Sequence, residues 1–221
     1  MNARGRPRGF DRDAALRAAM LVFWHRGYEG ASLGALTEAM GINKPSLYAA
    51  FGDKEALFRE AIALYEKEEN ATARAMREKP TARAAVESML RDNADAYCSA
   101  DTPRGCMVVL SAASCAPEHE SVRSQLASSQ RMVFEALRRR LKRAVNDGEL
   151  PADTDVPSLA AYCETVLQGL SLQAHAGATR ARLHRIVDYA MAAWDAMVVD
   201  RKPPRLEAVT STATPPRKAA L

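Results

Sequence analysis

Between Ala31 and Phe58 the sequence reads ASLGALTEAMGINKPSLYAAFGDKEALF. Two short segments of helical period separated by Gly41, Ile42 and Asn43 have the spacing of a helix-turn-helix, whose second helix enters the major groove of DNA. That second helix, from Lys44 to about Phe51, offers Asn43, Lys44 and Ser46 near its first turn to base edges or phosphates. Tyr48 can place its hydroxyl on a phosphate, while Leu47 and Phe51 face a small core. Lys54 opens the next helix and adds a cation beside backbone N–H groups suited to phosphate. Ser32, which caps the first of the two helices, is placed on the same surface. Ala49 and Ala50 carry only methyl groups, which can meet a thymine methyl but form no hydrogen bond, so direct base readout is thin. The plain alternative is a helical bundle in which Tyr48 and Phe51 only fill the core.

Ahead of this block lies the tetrapeptide RGRP, Arg4 to Pro7. Gly5 and Pro7 exclude a helix there. RGRP resembles the core of an AT-hook, an extended element whose arginines lie in a narrow A·T-rich minor groove, much as homeodomain arms do. Arg4 and Arg6 would supply the selectivity that Ala49 and Ala50 cannot. The alternative is a basic leader giving nonspecific attraction.

Cys106 is the third candidate for chemistry. It follows the turn TPRG and opens a helix, where the positive end of the dipole lowers a thiol pKa, with Arg104 nearby in sequence. Its alternative is a small buried hydrophobe. Cys98, Cys115 and Cys163 read as packing, and the absence of a CxxC pair argues for free thiols in a reducing cytoplasm. Cys115 and His119 are four apart, but Pro117 spoils a helical metal pair, so neither a metal nor a cofactor is expected.

Helical period runs through almost every segment. A first helix carries Leu16, Ala19, Met20 and Phe23 and stops at Gly27; Ser32 and Gly41 bracket the second; Pro45 suits the first turn of the third. Asp53 caps a helix running to Pro80. Further helices are expected over about 82–98, after the turn DTPRG, over 118–147, and in two long segments after GELPADTD. The expected fold is all-α: a basic arm at 1–9, a helix-turn-helix domain at 10–52, a connecting helix at 53–80, a larger bundle at 81–200 and a disordered tail at 201–221. Within the bundle, RRRLKR at 138–143 reads as a solvated helix face.

The chain has 221 residues and a net charge of +4. Residues 1–59 carry nine Lys/Arg against six Asp/Glu, residues 60–200 seventeen against twenty, and residues 201–221 five against one. Basic ends around a slightly acidic body suit a small nucleic-acid-binding module on a domain with another task. No apolar run reaches the roughly eighteen residues of a membrane span.

GINKPSLYAAFGDKEALF closely resembles the TetR-type transcriptional repressors, with Gly41, Leu47, Tyr48, Phe51, Lys54 and Leu57 at matching positions. The resemblance implies a cytoplasmic homodimer on a pseudo-palindromic double-stranded operator, released by a small molecule in the C-terminal bundle. It implies that Lys44, Pro45 and Ser46 read bases while Tyr48 and Lys54 hold phosphate. It favours a dimer interface built from Leu159, Val166, Leu170, Ile186, Ala190 and Trp194. Met89, Tyr97, Met107, Tyr162, Gln168 and His175 are candidates for lining a ligand pocket, with core packing as the alternative for each. RGCMVVLSA resembles a Gly-Cys motif in a branch whose members respond to electrophiles or oxidants, which would make Cys106 a sensor with His175 near it. Two other classes stay open: an architectural DNA-binding protein without an effector, and an enzyme built on Cys106 and His175.

Overall fold

The structure, a computed structural model, describes residues 10–68 and 71–199. The proposed arm with Arg4 and Arg6, and the proposed tail at 201–221, lie outside the described residues. Among the described residues the chain is helical throughout. Asp11 accepts from the N–H groups of Asp13 and Ala14 and starts α1 (Arg12–Gly30), which is interrupted at Gly27 (φ 68°, ψ 176°). Ser32 Oγ accepts from Ala35 N–H and starts α2 (Leu33–Met40), which ends in left-handed Gly41. Asn43 Oδ1 accepts from Ser46 N–H at the head of α3 (Lys44–Phe51). Asp53 Oδ1 accepts from Ala56 N–H at 2.7 Å beside the start of α4 (Lys54–Glu68). These caps satisfy backbone donors that a helix end would otherwise leave unpaired.

Within the helix expected over 53–80, α4 is followed by α5 (Ala71–Glu78), and residues 69–70 between them lie outside the described residues. Then follow α6 (Ala82–Ala96), α7 (Met107–Ser114), α8 (Glu120–Asn146), α9 (Val156–His175) and α10 (Arg180–Val199). This is an N-terminal three-helix helix-turn-helix unit followed by a larger helical bundle.

Two apolar cores divide the side chains. The first gathers Phe23, Leu36, Leu47, Leu57, Phe58 and Ile62 from α1–α4, with Phe23 and Phe58 edge to face at 5.0 Å. It also takes Met107 and Val108 from α7 and Val122 and Leu126 from α8. The second joins α5, α6, α9, α10 and the C-terminal half of α8, where Leu137 and Leu141 are fully buried. Thus α8, 27 residues and so about 40 Å long, is shared between both cores. Each fully buried Leu or Phe contributes roughly 1.5–3 kcal/mol, so α8 holds the two halves together by its opposite ends.

The basic run on α8 is not wholly solvated. Arg138, Arg139, Lys142 and Arg143 are exposed, but Arg140 points inward and is 3% exposed. Its Nη2 donates to Glu149 Oε1 at 3.1 Å and to Pro80 O at 3.2 Å, while Glu149 Oε2 caps Ala82 N–H at 2.6 Å. Arg140 therefore ties the head of α6 to the loop after α8. Removing one partner of a buried ion pair strands the other charge. We expect Glu149→Ala to cost about 3 kcal/mol, whereas Arg140→Met, which removes the charge along with its need for a partner, costs about 1 kcal/mol or less. Chemical denaturation of both variants measures the difference.

Candidate nucleic-acid interface and effector cavity

The face of α3 turned to solvent is built by what lies behind it. Leu47 and Phe51 are buried in the first core, which forces Lys44, Pro45, Tyr48 and Ala49 outward; Tyr48 is 48% exposed. Ser46 is half-buried and Asn43 exposed, its Oδ1 already engaged as the helix cap. Ser32 is likewise exposed but uses its hydroxyl as a cap. Of the residues expected on the DNA surface, Lys44, Pro45 and Tyr48 present side chains free of such a task. Phe10, the first described residue, packs 6.4 Å from Phe51. It lines an open groove of about 580 Å³ with Asn43 and Ser46.

Lys54 departs from its expected place. Its ammonium lies 4.3 Å from the centroid of the Tyr28 ring, and burial lowers its pKa. The cation packs against α1 rather than standing free at the helix start, whose amide is already capped by Asp53. Arg12, which carries no motif signal, fixes the recognition helix from the other side. It donates to Glu60 at 2.7 Å and to Ala50 O at 3.2 Å, and its guanidinium sits 4.4 Å above the Phe51 ring.

Inside the bundle a cavity of about 410 Å³ opens among α4, α5, α6, α7, α8 and α9. Val108, Val109, Met132, Val133, Ala136 and Leu167 give it an apolar wall. Tyr65, Asn93, Tyr97, Cys106, Ser129 and Gln168 supply uncharged polar groups. Glu66, Lys67 and Glu164 also line it; burial pushes the Glu164 carboxyl pKa up, partly offset by a hydrogen bond with Gln168.

Cys106 does open a helix, as the N-cap of α7. Its thiol pKa is nevertheless raised, because burial outweighs the hydrogen bonds from Tyr65, from the backbone of Val109 and Val108, and from Tyr97 that favour the thiolate. The expected lowering by the helix dipole is therefore overturned. Arg104 does not reach this thiol: its Nε donates to Ala174 O at 2.8 Å, and its Nη2 to Ala178 O and to Cys98 Sγ. His175 is exposed at the end of α9 and does not line the cavity. The partner that sequence reasoning missed is Tyr65, whose hydroxyl lies 3.3 Å from Cys106 Sγ. Its place on the apolar face of α4 concealed its polar end.

Tyr97, Cys106 and Gln168 thus line the cavity as expected, while Met89 and Met107 are fully buried core and Tyr162 turns its hydroxyl toward Ala190 O at 3.5 Å. Of the residues expected at a dimer interface, Leu159, Leu170, Ala190 and Trp194 are buried in the chain's own core. Val166 and Ile186 are half-buried, and among the described residues the large exposed apolar side chains of α9 and α10 are Leu172, Tyr189 and Met197.

The junction between the two halves runs through Gly105. Its carbonyl accepts the indole N–H of Trp24 from α1 at 3.0 Å, and its N–H donates to Tyr97 O at 3.2 Å. Cys106 N–H donates to Ser171 Oγ on α9 at 2.8 Å.

A helix-turn-helix unit joined through a buried backbone contact to a cavity-bearing bundle is the architecture of a DNA-binding regulator. The chain matches the family model for bacterial regulatory proteins of the tetR family over residues 15–61, and that for the tetracyclin repressor-like C-terminal domain over residues 82–197. It is 35% identical to the HTH-type transcriptional repressor ComR of Escherichia coli over 89% of this chain and 94% of that protein. It is 30% identical to the HTH-type transcriptional regulator YezE of Bacillus subtilis over 86% of this chain and all of that one. Among solved structures, cysteine-substituted CifR, complexed with a 26-base-pair operator, is 49% identical over 86% of this chain and 100% of that chain, with a TM-score of 0.82. The chain belongs to the tetR family of bacterial regulatory proteins and is a DNA-binding transcriptional regulator rather than an enzyme.

At Gly105, φ is +86° and an added Cβ would stand 2.8 Å from Ser171 O. Gly41 also has positive φ, +66°, but an added Cβ there meets nothing. We expect Gly41→Ala to cost about 1 kcal/mol, the left-handed penalty alone. Gly105→Ala adds a backbone clash and should cost about 3 kcal/mol or more. Thermal melts of the two variants against the parent protein check the order.

Proposed function

We propose that the protein is a cytoplasmic homodimeric repressor released from a pseudo-palindromic operator when an effector enters the cavity behind α7. The observation that carries this reading is the shared wall: Tyr65 and Cys106 line the cavity, while Tyr65 and Gly105 touch Trp24 of the DNA-binding unit. CifR on its operator and ComR as a named repressor support the DNA-bound, repressing state. The half-buried and exposed apolar residues of α9 and α10, namely Val166, Ile186, Leu172, Tyr189 and Met197, support the dimer contact.

The apolar wall and the hydroxyl, amide and thiol groups of the cavity favour a mainly apolar effector with one or two hydrogen-bonding groups. Its volume of about 410 Å³ suits a small molecule. Cys106 in the wall also supports a thiol-reactive effector, which would arrive at the same place. Either ligand acts by favouring a bundle geometry in which the recognition helices of the dimer no longer match successive major grooves, about 34–36 Å apart. Coupling of about 1–3 kcal/mol changes affinity by about 5–150-fold. The arm containing Arg4 and Arg6 joins at Phe10 on the recognition face, where minor-groove contacts would complement the thin base code of α3.

Fluorescence anisotropy on DNA from upstream of the protein's own gene tests the reading. Lys44→Ala should weaken binding by about 1–3 kcal/mol at unchanged melting temperature. No preference of the parent protein for that DNA over random sequence would instead favour the architectural class. Ala136→Phe fills the cavity from α8, far from the recognition face. It should leave DNA affinity within about twofold while abolishing release by any compound that releases the parent protein.

A further inference from the structure

Tyr65 stands in two places at once. Its hydroxyl lies 3.3 Å from Cys106 Sγ in the cavity wall, and its ring meets the Trp24 ring edge to face with centroids 4.8 Å apart. Trp24 is 4% exposed and anchors α1 to Gly105 O through its indole N–H. Tyr65 itself is 6% exposed, so the ring has little room to turn without moving a neighbour.

From this juxtaposition we propose that Tyr65 is the relay by which occupancy at Cys106 Sγ reaches the DNA-binding unit. The inference rests on the cavity being the effector site and adds which side chain carries the signal. A group seated on the sulfur takes the space of the Tyr65 hydroxyl. The phenol ring then shifts against Trp24, and because Trp24 is pinned at Gly105 the displacement passes to α1. Arg12, at the head of α1, carries it to the Ala50 carbonyl at the end of the recognition helix.

The test needs a group of known size on the sulfur, and methyl methanethiosulfonate supplies one. The Cys106 sulfur forms a new S–S bond to the reagent's methylthio sulfur, methanesulfinate leaves with the electron pair of the broken S–S bond, and the thiol proton goes to solvent. Modification at Cys106 is verified by mass spectrometry. Cys106→Ser controls for reaction at Cys98, Cys115 and Cys163. The chain has 2 tryptophans, so a Trp194→Phe background leaves Trp24 as the sole indole reporter.

In that background, methylthiolation should shift Trp24 emission and weaken binding to the upstream duplex by about fivefold or more. Tyr65→Phe keeps the ring and its contact with Trp24 but removes the hydroxyl, leaving space for the methylthio group. Release is read against each protein's own unmodified affinity, and the modified variant should show less than about half the emission change and release of its modified parent. Equal release from modified Tyr65→Phe would sink the relay alone. If the modified parent stays bound with unchanged emission, the cavity reading falls with it. Equal release from treated Cys106→Ser would also overturn the relay. Should Tyr65→Phe fail to fold by circular dichroism, Trp24→Phe in the otherwise native chain takes its place. Its smaller ring should absorb the shift and reduce release in the same way; undiminished release would again sink the relay.

Discussion

A buried hydrogen bond from the Trp24 indole to the Gly105 carbonyl fixes how the two halves of the molecule meet. Apolar packing alone is permissive of sliding, but a buried donor left unpaired costs about 1–3 kcal/mol, so this contact has a definite register. The residues around it tighten the constraint. Gly105 donates to Tyr97 O at the end of α6, and its Cα approaches Ser171 of α9 with no space for a Cβ. Cys106 follows with its own N–H on Ser171 Oγ. Three helices from different parts of the chain thus converge on two consecutive backbone units, and the cavity opens beside them.

The other end of α7 is gripped as well. Glu29, just past the Gly27 interruption of α1, accepts from Ala116 N–H at 3.1 Å and lies 3.3 Å from His119 Nε2. The His119 ring meets Tyr28 at 5.0 Å, and Lys54 covers Tyr28 from α4. An added Cβ at Gly27 would stand 3.1 Å from Ser114 Oγ, so the interruption itself rests on α7. Since α7 has eight residues and is only about 12 Å long, α1 holds both ends of a short rigid rod.

Much of this was legible in the sequence because caps and turns are local. Ser32, Gly41 and Asp53 act on backbone groups within a few residues, and the helix-turn-helix follows from their spacing; the caps at Asp11 and Asn43 emerge only in the structure. What was not legible depends on which neighbour a face meets. Leu159, Leu170, Ala190 and Trp194 share a helical stripe with Val166 and Ile186, yet the first four turn to their own core. Periodicity assigns a face and leaves its partner open. Arg140 looked like one more cation in a basic run, and only the tertiary approach of Glu149 accounts for its burial. Lys54 fits the motif position for phosphate, but Tyr28 arrives from another helix to cover it. The raised pKa of Cys106 has the same origin, since helix position favours the thiolate locally while burial by distant residues disfavours it more.

These features also bear on how little energy the switch requires. The recognition helix presents Lys44, Pro45, Tyr48 and Ala49, with Asn43 and Ser32 already spent as caps, so its exposed surface is better equipped to hold phosphates than to read bases. Phosphate contacts position a protein on the duplex without identifying a sequence. Selectivity in a dimer of such units must then come largely from the distance and angle between the two recognition helices, together with whatever the arm contributes. A regulator of this kind is exposed to small rotations, because misplacing one helix forfeits several contacts together. A cavity whose wall includes Tyr65, itself packed on Trp24 of α1, therefore lies where a small rearrangement would reach the recognition helices.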